Sequence, residues 1–217
     1  YSLSLHDARP ISGGGSRCEI GAGLPVGLTG SVAGVNYKLY RDGVAVVPDN
    51  TVAGTGAAIS FGPQTIAGTY TVRATIAATG CINQMTGSAV ITVTPQLVIT
   101  AQPVSTTICE DGSATFTVEA TGQNRSYQWY NDGAAVGVNS NVLVLNPVPL
   151  TDNGNEIYCV VSSTCGGPLE SNKVLLNVNP NNKILTNPVS SVKCTGSSAS
   201  FSVVAEGLNP LYQWKKN

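Results

Sequence analysis

The chain has 217 residues, enough to bury a separate core in each of two ordinary domains but not in a third. Charged residues make up 11% of it and the formal net charge is -1, so it lacks the basic surface that binding to a nucleic-acid backbone requires. No stretch approaches the roughly 18 consecutive apolar residues of a membrane-spanning helix, and the abundance of Thr, Ser, Val, Gly and Asn is the palette of twisted strands and tight turns.

From the N-terminus, Tyr1 to Ser12 show no periodicity, and Gly13-Gly14-Gly15-Ser16 reads as a flexible linker. No strand precedes those glycines and no helix follows, so they are no phosphate cradle. Residues 1–16 are therefore expected to stand outside the fold as a leader or linker. A first β-module is expected over 17–95. It opens at Cys18, carries Tyr37-Lys38-Leu39-Tyr40-Arg41 before an Asp42-Gly43 hairpin signal, and closes at Thr94-Pro95-Gln96, where proline ends an alternating strand.

A second module is expected over 96–180. Ala114, Phe116, Val118 and Ala120 alternate with Ser113, Thr115, Thr117 and Glu119, a period of two that gives one strand an apolar and a polar face. Further strands follow at Ser126 to Tyr130, Val142 to Leu145, Glu156 to Val161 and Lys173 to Val178, with Asp132-Gly133 as a hairpin turn and Asn179-Pro180-Asn181-Asn182 as the closing linker. Alternation places Trp129 in the core and Lys173, Glu119 and Thr117 outside.

The third segment, 181–217, repeats the start of the second at a constant offset of 85 residues. Pro103-Val104-Ser105, Cys109, Phe116, Val118 and Tyr127-Gln128-Trp129 recur as Pro188-Val189-Ser190, Cys194, Phe201, Val203 and Tyr212-Gln213-Trp214. It stops where the third strand should run, so it reads as a truncated module in which Trp214 is more exposed than Trp129.

Many short strands at this spacing mean an all-β sandwich or barrel. Trp129, which stands 20 residues after Cys109, together with Thr151-Asp152-Asn153-Gly154 leading into Ile157-Tyr158-Cys159, resembles an immunoglobulin fold. One departure is that the second strand has Val118 and Val203 where the antibody-type pattern has a cysteine. More narrowly, ITVTP, TICEDGSATFTVEATG, YQWYNDG and YCVVSSTCG are similar to the immunoglobulin-like repeats of very large surface proteins of Bacteroidota, often exported by the type IX secretion system. The stretch SLHDARPI in the leader resembles translated sequencing-adapter sequence.

The resemblance implies tandem immunoglobulin-like β-sandwiches, the last truncated, in a non-catalytic structural or adhesive repeat segment of a large secreted or cell-surface bacterial protein. Its partners would be neighbouring modules of the same chain and cell-surface or glycan ligands. The alternative is an accessory carbohydrate-binding or spacer region of a secreted hydrolase, since a fold does not choose among these roles.

The six cysteines fall two, three and one to the modules. If each bridge stays within a module, Cys18 pairs with Cys81. Cys81 follows its strand as Cys165 does, so Cys109 is expected to pair with Cys165, leaving Cys159 and Cys194 as free thiols. Disulfides argue for an oxidising, extracellular setting.

Chemistry finds little purchase. The only histidine is His6, in the expected leader, so a Ser-His-Asp or Cys-His relay has no base. Zinc would need closely paired ligands and no CxxC is present. Asp42, Asp49, Asp111, Asp132, Asp152 and Glu156 lie mostly beside Gly or Asn, where carboxylates fold turns, and Thr151 to Glu156 is half the length of a calcium loop. No catalytic, cofactor-binding or metal-ligating residue is expected. Tyr130 and Tyr40, facing away from the core, are the candidates for surface contact.

Overall fold

The computed structural model describes residues 10–216; residues 1–9 of the expected leader, with His6, lie outside the described residues. The described residues form two compact units, 10–96 with Thr164–Gly166, and Leu97–Ser163 with 167–216. Both are built from β-strands.

The first unit contains β1 (Ile11–Gly13), β2 (Gly15–Cys18), β3 (Leu24–Leu28), β4 (Val35–Arg41), β5 (Val44–Ala45), β6 (Thr51–Ala53), β7 (Ile59–Gln64), β8 (Gly68–Ile76), β9 (Ile82–Gln84) and β10 (Ala89–Thr94). One sheet runs β1-β3-β7, the other β2-β10-β8-β4-β5, with β6 also on β4 and β9 on β8. Val26, Leu28 and Phe61 from the first sheet meet Tyr37, Leu39, Tyr70, Val72 and Ile91 from the second in a closed apolar core. Period-two alternation produces this: Val35, Tyr37 and Leu39 are buried along β4 while their neighbours are not.

The expectation that residues 1–16 stand outside the fold needs correction. Ile11–Gly13 pairs antiparallel with β3, and Gly15–Cys18 pairs parallel with β10. The glycines serve a crossing rather than a linker, since Gly13, Gly14 and Gly15 all have positive φ (98°, 90° and 126°). A Cβ on Gly14 would lie 2.7 Å from the Val90 carbonyl oxygen, so only glycine lets the first strand pass from one sheet to the other here.

The second unit contains β11 (Val98–Ala101), β12 (Thr106–Cys109), β13 (Ala114–Thr117), β14 (Glu119–Thr121), β15 (Ser126–Asn131), β16 (Ala134–Val136), β17 (Val142–Leu145), β18 (Asn155–Ser162), β19 (Leu169–Glu170) and β20 (Val174–Asn179). Its larger sheet runs β12-β20-β18-β15-β16, with β19 on β18; facing it are the pairs β11-β14 and β13-β17. The strand expected over Ala114 to Ala120 is divided, because its first half pairs with β17 and its second half with β11. Alternation nevertheless runs through the break: Ala114, Phe116 and Val118 are buried, Thr115, Thr117 and Glu119 exposed.

Trp129 is 0% exposed, and Lys173 lies on the outside. Both Asp-Gly hairpins have positive φ at each central residue, 49° and 83° at Asp42-Gly43 and 48° and 82° at Asp132-Gly133. That is the turn whose twist matches two antiparallel strands.

Beyond β20, β21 (Lys183–Thr186) pairs with β22 (Val204–Glu206). Its register, Lys183 beside Glu206 and Ile184 beside Ala205, reproduces that of Val98 with Thr121 and Ile99 with Ala120. The apolar face is not covered as its predecessor is: Phe201 is 51% and Trp214 52% exposed, against 1% for Phe116.

Candidate functional site

The cysteines do not pair within modules. Cys18 is bonded to Cys165, whose segment Thr164–Gly166 belongs to the first unit, with Cα atoms 5.4 Å apart; Cys81, Cys109, Cys159 and Cys194 are free thiols. The expected bridges Cys18 to Cys81 and Cys109 to Cys165 are therefore wrong, and sheet register gives the reason.

Cys109 ends β12 beside Asn179, the last residue of β20. Against the same β20, β18 starts near that end, Asn155 beside Leu176, and runs the other way to Ser162. At about 3.3 Å per residue the two ends are roughly 30 Å apart, and three further residues to Cys165 cannot recover that distance. In the first unit Cys18 is level with Thr94 at one end, whereas Cys81 accepts a hydrogen bond from Ile76 N–H (2.9 Å) at the far end of β8. Each module thus holds its two non-core cysteines at opposite ends.

Next to the cystine, Arg17 shapes the turn that follows. Its guanidinium donates to the carbonyl oxygens of Glu19 (3.2 Å), Gly21 (2.6 Å), Ala22 (3.1 Å) and Thr65 (2.8 Å). A planar fork of five donors suits this gathering of carbonyls.

Cys159 stands directly beside Trp129 in the sheet register and shares the core with Val118. Burial pushes its thiol up to about 11, so at neutral pH it is a packing group and no nucleophile. Ser171, itself buried, accepts from Cys159 N–H at 2.9 Å and donates to the Asn172 carbonyl at 3.1 Å, which satisfies its hydroxyl.

The carboxylates hold turns. Asp42 accepts from Thr69 N–H (2.8 Å), Asp152 from the Asn131 amide (3.2 Å), and Asp49 from the Thr51 hydroxyl (2.8 Å) with Lys38 at 3.2 Å. The Thr51 hydroxyl first and then Lys38 hold the Asp49 carboxyl below its ordinary value. Glu156 pairs with Lys173 at 3.2 Å and raises that ammonium's pKa. Within Thr151 to Glu156, Asn153 accepts from Val178 N–H (2.9 Å) and Asn155 donates to Asn131 (2.9 Å), so the loop's side chains are spent on closing a corner. Among the described residues no group of three His, Cys, Asp or Glu is placed to hold a metal ion.

The surface tyrosines are half-buried and engaged. Tyr40 lies under the Arg73 guanidinium at 4.3 Å, and Tyr130 stacks on Tyr158 with centroids 4.9 Å apart. The groove formed by Ile184, Ala205, Tyr212 and Trp214 is the uncovered face of the third repeat.

Arg17, Ser171 and Tyr70 are the contributors that sequence reasoning did not single out. Tyr70 is buried and its hydroxyl donates to the Ile66 carbonyl at 2.8 Å, fastening the turn before β8. The sequence carries only the tyrosine itself; the register identifies its place, because Val72 pairs with Leu39 as Cys159 pairs with Trp129, and a tyrosine two residues earlier marks an immunoglobulin corner.

No known protein family matches the chain, and no curated protein does. Solved structures do. The I-band fragment I67-I69 from titin is 17% identical with a TM-score of 0.64, covering 92% of this chain and 75% of its own. Rst D1-D2 is 14% identical with a TM-score of 0.53, covering 76% of this chain and 95% of its own. DIP-gamma IG1+IG2 is 18% identical with a TM-score of 0.50, covering 77% and 96%. These likenesses establish the fold: the chain is all-β, a tandem of immunoglobulin-like domains.

Proposed function

We propose that this chain is a non-catalytic structural or adhesive repeat segment of a large secreted or cell-surface bacterial protein, its repeats spanning 11–95 and 96–180 with the start of another over 181–217. The observation that carries the reading is the Cys18–Cys165 disulfide in a chain of repeated sandwiches. Such a bond persists in oxidising surroundings and is rare where glutathione keeps thiols reduced. The chemistry of the surfaces agrees with it: the carboxylates close turns, and the buried thiol is held protonated.

The similarity of its strand motifs to Bacteroidota surface repeats supports export by the type IX system. Neighbouring modules of the same chain are its first partners, with cell-surface or glycan ligands reached through them. Surface labelling of intact source cells with an antibody against the chain tests this. Labelling of the cells or recovery from the medium is expected; antigen found only inside lysed cells would overturn it.

A further inference from the structure

Two exposed cysteines, Cys81 and Cys109, have no role in either core. Their positions repeat those of the two bonded ones. Cys18 and Cys109 each end the strand that pairs parallel with the last strand of the module, beside Thr94 and Asn179. The next residue is glutamate in both, and its N–H donates to the same carbonyl: Glu19 to Thr94 at 2.9 Å, Glu110 to Asn179 at 2.8 Å. Cys81 and Cys165 each sit in the loop that follows the long central strand, between β8 and β9 and between β18 and β19.

The register already described keeps a strand-end cysteine from reaching the loop cysteine of its own repeat. Cys18 has instead bonded the loop cysteine carried by the following repeat. We propose that this is a repeating cross-link, in which Cys109 bonds the loop cysteine of the third repeat and Cys81 bonds the strand-end cysteine of a repeat before the first. Cys194, at the 85-residue offset from Cys109, is the strand-end member of the next link. The proposal rests on reading the chain as a segment of tandem repeats. Each link forms from two thiols, which give up two protons and two electrons to a disulfide oxidant. With oxidised glutathione, the Cys109 thiolate displaces one glutathione to give a mixed disulfide, and the loop thiolate then displaces the second.

The test replaces residues 181–217 by a second copy of 96–180, whose sandwich brings its own closed core and which carries Cys109→Ser, so that the first-copy Cys109 gives the one Cys109 peptide in the protein. The protein is oxidised in a glutathione buffer, trapped by alkylation and mapped by mass spectrometry without reduction, beside the unaltered chain. In the unaltered chain Cys18–Cys165 forms while Cys81 and Cys109 are alkylated. In the extended chain, alkylation of the first-copy Cys109 falls about tenfold or more, and its peptide appears bonded to Cys165 of the second copy. Cys165→Ser in the second copy alone restores the alkylation.

Three results would overturn the cross-link: a Cys109 that stays alkylated, one that bonds any other cysteine, or failure of Cys18–Cys165 to form. Failure of the export reading is a separate outcome, because it is read from where the antigen lies in cells and leaves this map unchanged.

Discussion

Trp129 and Trp214 occupy the same place in two copies of one motif, and the structure assigns them opposite energetic weight. Trp129 is fully buried and its Nε1 donates to the Ser140 carbonyl at 2.9 Å. Replacing it by alanine removes the largest buried side chain of the second core, about 3–5 kcal/mol for transfer and cavity together. An unpaired Ser140 carbonyl adds a cost of about 1–3 kcal/mol if water cannot reach it. Against a domain stability of about 5–15 kcal/mol, Trp129→Ala should leave the second sandwich marginal or unfolded.

Trp214 is 52% exposed, so Trp214→Ala should change stability by no more than about 0.5 kcal/mol. Urea titration read by hydrogen exchange of peptides from β18 and β8 separates the units. The β18 midpoint should fall by roughly 2–5 M in Trp129→Ala at an m-value of about 1.5 kcal/mol/M, and by less than about 0.5 M in Trp214→Ala. The β8 midpoint should hold in both. Equal shifts from the two substitutions, or no shift of β18 in Trp129→Ala, would refute the reasoning.

Tyr70→Phe removes the hydroxyl that holds Ile66 and should cost the first unit about 0.5–1.5 kcal/mol, seen as an earlier urea midpoint for β8 with β18 unchanged. Cys159 makes stability depend on alkali. Its folded pKa of about 11 lies above the ordinary 9.0, so the folded state keeps its proton while the unfolded chain has already lost its own. Stability is complete below pH 9 and falls by about 2–3 kcal/mol as pH rises to 11, a loss that Cys159→Ala should not show in paired denaturation curves. Parallel curves for the two proteins across that range would contradict the burial account.

Much of the fold was legible because strand alternation is a direct record of burial. Phe116, Val118 and Trp129 could be placed inside, and the Asp-Gly turns identified, without any tertiary information. The division of the strand through Val118 was not legible, since it depends on which partners its two halves meet. The first strand was missed for a similar reason: three glycines carry no periodicity, and their purpose appears only where the backbone must pass close to Val90.

The disulfides show the sharpest limit. Counting cysteines by module gave the wrong pairs, because it took no account of which end of the sandwich each occupies. That information lies in the parallel pairing of β2 with β10 and β12 with β20, which only the register reveals.

The central claim, a repeat segment exported into oxidising surroundings and fastened through Cys18 and Cys165, is tested most directly on protein from its source cells. Thiols are trapped by acid and alkylation at lysis, and the peptides are mapped without reduction. The account predicts a Cys18–Cys165 cross-linked peptide as the dominant form, with Cys159 recovered as a thiol only after unfolding. Cys18 and Cys165 both recovered as alkylated thiols, or Cys18 joined to Cys81, would contradict it.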